Sequence, residues 1–278
     1  MAHSEPTPRP GLLLGMVAGL GAGALAMLDY IGGLGRLALE LLVWVGRCLT
    51  RQVRIGREAL YIQIVRVGVR SVLIIALVSG CIGMILALQM APPLSDFGYT
   101  EMVANIIGVS VLRELGPLIS GIVLTGFAGA SIAAELGTMV VSEELEALES
   151  MALNPVRFLV MPRVLATVIS LMLLCVLGDL VAVAAGAVTG TFILDIPWGV
   201  YKANTLEQIS LADFLTGVGK AGVFGLLIGL ISCYNGLRVS GGAAGVGVAT
   251  TRTVVHSIVC IIFADLLFTA LFYTLGWT

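Results

Sequence analysis

Charge is scarce in this sequence. Lys, Arg, Asp and Glu make up 12% of its 278 residues, against the roughly 25% that a water-soluble domain carries. So little charge cannot cover a globular surface with groups that water solvates, which excludes an ordinary soluble enzyme or binding module. Other shortages exclude other chemistry. There are two histidines and five cysteines (Cys48, Cys81, Cys175, Cys233 and Cys260), with no CxxC or Cys/His spacing. No metal site is expected from them. The cysteines read as small, lipid-compatible residues inside apolar runs rather than as a disulfide framework. Ser/His/Asp groupings and HExxH are missing too, so no intramembrane hydrolysis is indicated.

Apolar residues are plentiful: 58% of the chain, with a mean hydropathy of +1.06. Runs close to the roughly 20 residues that span a bilayer as a helix lie at about 71–91, 102–127, 164–193, 214–236 and 254–276. The fold class is therefore an all-α integral membrane protein. Basic residues sort between the connections. Arg36, Arg47, Arg51, Arg54, Arg57, Arg66 and Arg70 precede the first run, and none falls in 92–101. Arg157 and Arg163 follow in 128–163, Lys202 stands alone in 194–213, and Arg238 and Arg252 lie in 237–253. The positive-inside rule makes the arginine-rich segments cytoplasmic and leaves the C-terminus on the outer side.

The beginning of the chain is ambiguous. The stretch "GLLLGMVAGLGAGALAML" is short for a span, and Gly11, Gly15, Gly19 and Gly23 recur every four residues, a spacing that admits a close-packed neighbouring helix. Ala24-Leu25-Ala26 imitates a signal-peptidase site. We treat residues 1–24 as an extension and expect an interfacial helix over about 25–58, where apolar stretches alternate with Arg36, Glu40, Arg47, Arg51 and Arg54.

The 128–163 connection contains "SEELEALESMALNPVRFLVMPR". Ser142 fits a helix cap, the acids fall in the first turns, and Asn154-Pro155 reads as the stop. On a helical wheel Leu145, Leu148 and Ala152 share one side, with Glu143, Glu146 and Glu149 opposite. A short amphipathic helix over about 142–154 is expected. Its acidic face is either merely solvated or a docking surface for a cytoplasmic partner.

"LRELGPLISGIVLTGFAGASIAAELGTMVVSEELEALESMALNPVRFLVMPRVLA" and "ATTRTVVHSIV" resemble the MlaE/YrbE permeases, the membrane subunits of MCE-type ABC lipid transporters. The likeness runs from about residue 60 to the C-terminus. It implies a permease domain over 25–278, five spans after an interfacial helix, and a homodimer in a bacterial inner membrane. The partners it implies are a cytoplasmic ABC ATPase dimer that carries ATP and Mg, an outer MCE-domain protein, a small cytoplasmic accessory subunit and membrane phospholipid as cargo. No nucleic acid and no cofactor bound by this chain are expected. By the same resemblance the 142–154 segment is the coupling helix, with Glu143, Glu144, Glu146, Leu148, Glu149, Met151 and Asn154 facing the ATPase. The chain departs from the family at Val248, where a basic residue is frequent, and in its long Gly-rich beginning.

Inside the second apolar run lies an adjacent pair of opposite charges, Arg113 and Glu114. Each charge at mid-membrane costs about 2.5–3.5 kcal/mol, so the pair represents roughly 5–7 kcal/mol. Neighbours on a helix point about 100° apart and cannot satisfy each other. Lys220, Asp179 and Asp265, all within or near other runs, are the candidate partners. Two readings follow: a buried network that holds helices in register, or a polar spot where Arg113 or Lys220 meets a lipid phosphate. The resemblance points to Arg113, Glu114, Leu115 and Lys220 as lining a lipid pocket between subunits. Leu88, Gln89, Met90, Leu94 and Phe97 would supply its apolar wall or else face bilayer lipid. Gly116-Pro117 should kink or loosen the helix after the charges.

Two glycine motifs fail. "GVGKAG" has Phe214 and Ala221 where GxxxxGK[ST] needs Gly and Ser or Thr, so this chain holds no nucleotide loop. "GGAAGVG" over 241–247 reads as a cytoplasmic turn, and His256 as a polar contact rather than a base. The rivals to a permease are a secondary transporter with Glu114, Asp179 and Asp265 as a proton relay, and a membrane scaffold that carries no cargo.

Overall fold

A chain in hydrocarbon must satisfy its backbone within each segment, and this one does so by helices throughout. In the computed structural model, residues 12–50 and 56–276 are described, with side chains from residue 21 onward apart from residue 49. No strand occurs among them. Eight helical elements follow in order: α1 (Leu12–Leu49), α2 (Arg57–Asp96), α3 (Thr100–Val141), α4 (Glu144–Ser150), α5 (Val156–Phe192), α6 (Trp198–Gln208), α7 (Leu211–Leu237) and α8 (Gly242–Thr274). Five of them, α2, α3, α5, α7 and α8, are long and apolar enough to cross a membrane.

These spans outrun the hydrophobic runs that announced them. A helix rises 1.5 Å per residue, so the 40 residues of α2 extend about 60 Å, twice the hydrocarbon thickness. Hydropathy marks only the lipid-deep part. α1 is also longer than the expected interfacial helix and runs unbroken across residues 24–25. It stops at Leu49 rather than 58; residues 51–55 and Gly11 lie outside the described residues.

Tight packing of α2 on α5, α5 on α7, and α7 on α3 and α8 makes the bundle. Its main core gathers Leu124, Leu136, Leu171, Phe224 and Ile228, and a second cluster joins Ala87, Ala91, Val103, Ile107 and Ala182. Small residues allow the approach. At Gly83 an added methyl would strike the Ala182 carbonyl, and at Gly225 the backbone of Val168. α1 lies against this bundle through Leu37 and Leu41, touching α7 and the start of α5.

Several connections differ from expectation. The segment 194–213 holds α6, which lies across that end of the bundle with Tyr201 buried against Gly190. "GGAAGVG" is no turn beyond Gly241, because α8 starts at Gly242. Ser142 does not cap α4; its hydroxyl donates back to the Thr138 carbonyl at 3.0 Å, closing α3, while Glu143 turns the chain at φ 60°. Nor does Asn154 end α4. The helix closes at Ser150 through a Schellman-type turn, with Ala152 at φ 58° and the Leu153 N–H donating to the Leu148 carbonyl at 3.1 Å. Asn154 Oδ1 instead accepts from the Arg157 N–H at 3.0 Å, starting α5 with Pro155 in the first-turn place that suits it.

Candidate functional site

Arg113 and Glu114 sit on a π-helical turn, Val111–Leu115, inside α3. Proline causes it: Pro117 has no N–H to give to the preceding turn, so the helix widens and the Gly116 N–H bonds to the Val111 carbonyl. Of the two expected outcomes, a kink or a loosening, the helix shows the second as a local widening, with α-helix resuming at Gly116. π turns recur at Thr125–Gly129 in α3 and Val156–Val160 in α5.

The two charges leave the turn toward different partners. Arg113 Nε pairs with Asp213 Oδ1, and Asp213 was not among the expected partners. Its carboxylate also accepts from the Ser210 N–H at 2.9 Å and the Ser210 hydroxyl at 2.8 Å, while the Asp213 N–H returns a bond to Ser210 Oγ. This reciprocal cap opens α7. The pattern Ser210-Leu-Ala-Asp213 was the signal for it, but nothing in the pattern says that an arginine a hundred residues earlier shares the carboxylate.

Glu114 Oε1 lies 2.8 Å from Lys220 Nζ and accepts from the Thr269 hydroxyl at 2.8 Å. Lys220, 1% exposed, also donates to Asp265 Oδ1 at 2.9 Å and to Thr269 Oγ1 at 3.2 Å. Three spans thus share one cluster of two cations and three carboxylates, with most of its charge cancelled internally. Beside it is a cavity of about 670 Å³. Arg113 and Lys220 line its polar side, and Leu215, Phe268 and Phe272 its apolar side. Arg113, whose side chain is 30% exposed, keeps guanidinium donors that Asp213 does not use.

Asp179 is elsewhere. It is 4% exposed, faces Gly116, and among the described residues has only the Cys175 thiol, at 3.6 Å, as a hydrogen-bond partner. It lines a separate, apolar cavity of about 460 Å³ between α5 and α6. Leu88, Gln89 and Phe97 are exposed, while Met90 and Leu94 pack half-buried on the second core cluster. None of these five lines the cavity at Arg113, and neither does half-buried Leu115. Within one chain, the first-span wall and the charged cluster are distinct surfaces.

At the opposite end of the bundle is a charged group that sequence reading passed over. Glu135 Oε1 binds Arg66 Nη1 at 2.5 Å and Arg163 Nη2 at 3.3 Å, tying α2, α3 and α5 together. The arginines had served only as markers of orientation. The lone acid in the apolar run 128–141 was the clue to their partner. Next to it, α4 exposes Glu143, Glu144, Glu146, Glu149 and Met151, with Leu145 and Leu148 half-buried beneath. Asn154 Nδ2 donates to Glu40 Oε1 of α1 at 3.0 Å, so the segment after α4 is tethered to the first helix.

An arrangement of five spans, an exposed acidic helix between the second and third, and charges paired across the second, fourth and fifth invites comparison with known permeases. The family described as Permease MlaE matches residues 60–271. A probable ABC transporter permease protein of Rickettsia bellii is 35% identical over 89% of this chain and 99% of its own length. One of Rickettsia felis is 38% identical over 76% of this chain and 82% of its own. The intermembrane phospholipid transport system permease protein MlaE of Haemophilus influenzae is 32% identical over 90% and 95%. The match takes in all five spans, the π turn with its charges and the acidic helix, and on that ground this integral membrane protein belongs to the MlaE family of ABC transporter permeases.

Proposed function

We propose that this permease moves phospholipid, as a homodimer in a bacterial inner membrane, between the bilayer and an MCE-domain partner on the outer side. A separate cytoplasmic ATPase pair, which holds the ATP and Mg, powers it, and a small accessory subunit fits at the same cytoplasmic end. The observation that carries this reading is the cavity at Arg113. It joins spare guanidinium donors to phenylalanine and leucine walls in the membrane-spanning part of the chain, which is the chemistry of a phosphate head with acyl chains attached. The name of the Haemophilus relative supports the cargo class.

A dimer would bring Leu88, Met90, Leu94 and Phe97 of one subunit toward the charged cluster of the other, closing the wall that a single chain leaves open. The exposed acids of α4 suit a partner with basic edges, and its half-buried leucines seat it on the bundle. ATP-driven closure of the ATPases would push α4, pass through the turn into α5, and narrow the cavity so that lipid is expelled.

The test is lipid mass spectrometry on the complex purified in mild detergent, wild type beside a variant carrying Arg113→Ala and Glu114→Ala. A defined phospholipid enriched in wild type and lost from an assembled variant is expected, with an ATPase band in the same preparation. Equal, bulk-like lipid in both would make the cluster purely structural and remove the cargo site from this place.

A further inference from the structure

The end of the bundle that carries α4 holds a second polar cavity, of about 610 Å³. It lies 18 residues along α7 from Lys220, about 27 Å at helical rise. Tyr30 of α1, Arg238 just beyond α7, and Arg252 and His256 of α8 line it. Where the cluster at Arg113 holds more carboxylates than cations, this cavity holds two arginines against Asp29. Arg238 bonds the Tyr234 hydroxyl and faces Asp29 at 3.3 Å, a pair exposed on both sides and correspondingly weak. Arg252 has no carboxylate within ion-pair distance among the described residues. His256 Nδ1 is closed off from solvent with no hydrogen-bond partner, its ring edge-on to Tyr30 at 4.8 Å between centroids.

The start of α8 adds to this. Gly241 and Gly242, at φ 87° and 68°, lead into a 33-residue helix with no side-chain cap, and Ser240 and Gly245 open on the cavity. Ser240 and Gly245 place the positive end of the helix dipole close to the two guanidinium groups.

We propose that this cavity binds a phosphate group, separately from any cargo at Arg113. Arg252 and Arg238 supply charge-assisted hydrogen bonds, and the positive end of the α8 dipole adds to their field. Asp29, the one carboxylate among the described residues that line the cavity, opposes binding. The phosphate can come from an anionic lipid head in the adjacent leaflet or from free phosphate in solution.

The full-length chain, purified with its accompanying subunits, is followed by thermal unfolding. It is titrated with phosphatidylglycerol in mixed micelles and, separately, with inorganic phosphate at constant ionic strength. The expected result is a saturable rise in midpoint with phosphatidylglycerol. Half-saturation moves about tenfold higher in Arg252→Gln and severalfold lower in Asp29→Asn. The same Arg252-dependent rise with inorganic phosphate would assign the site to free phosphate. No response in either arm, or one indifferent to both Arg252→Gln and Asp29→Asn, overturns the proposal. Should Arg252→Gln fail to fold, Asp29→Asn decides alone: an unchanged half-saturation rejects the site.

Discussion

Lys220 is committed to two carboxylates at once. It is 1% exposed in a membrane-spanning helix and stands between Glu114 and Asp265, at 2.8 and 2.9 Å. Removing its charge would leave two carboxylates facing each other with no cation between them. Lys220→Met is expected to cost about 3–5 kcal/mol, toward the lower end because the Glu114 side chain is 37% exposed. Denaturant unfolding in mixed micelles measures it, and adding Asp265→Asn should recover at least half of the loss. A neutral Lys220→Met would mean that the cluster stores no such energy. The sequence showed that Arg113 and Glu114 needed partners, because lone charges in hydrocarbon are too costly. It could not say which: Lys220 and Asp265 joined Glu114, Asp213 took Arg113, and Asp179 went to a pocket of its own.

Among the helices, α3 does the most unusual work. Its π turn at Val111–Leu115 carries both charges, and the Leu112 carbonyl there lies where a side chain on Gly217 of α7 would have to go. The absent Cβ lets α7 approach closely enough for Asp213, one turn earlier, to meet Arg113. Gly217→Ala should push the helices apart, costing about 1–3 kcal/mol as overpacking does. It should also weaken the Arg113–Asp213 pair, so that a further Asp213→Asn costs less in that background than in wild type. Additive losses, read from the same unfolding transitions, would separate the packing from the ion pair. Gly116-Pro117 made a disturbed helix legible from sequence, but whether it would bend, break or widen depended on a neighbour already shaped to receive the freed carbonyl. Helix α4 was legible in place and in polarity. Its boundaries were not, because Ser142 and Asn154 each had a competing backbone group in the adjoining helix.

The whole chain reads as a bundle with one side unfinished. α8 buries only Ala249, Thr253, Ser257 and Ile261, a stripe at four-residue spacing, and leaves Val255, Val259, Ile262, Phe263 and Leu266 exposed. Lipid or a second subunit must cover that face. Orientation is testable directly, in a background with the native cysteines replaced. Ser150→Cys at the end of α4 should react with a membrane-impermeant maleimide only after permeabilisation, and Tyr99→Cys between α2 and α3 should react in intact cells. The reverse pattern would invert the topology that the arginines imply. The number of spans and their order were legible in the sequence alone, and the arginines add an expected sidedness to them. Solvation by lipid is a local property: a run of apolar residues has to be a helix wherever its neighbours lie. Which charges meet was decided only by the tertiary structure. Arg113 and Asp213 are 100 residues apart, and what joins them is the depth to which two helices approach, set by a glycine opposite a carbonyl.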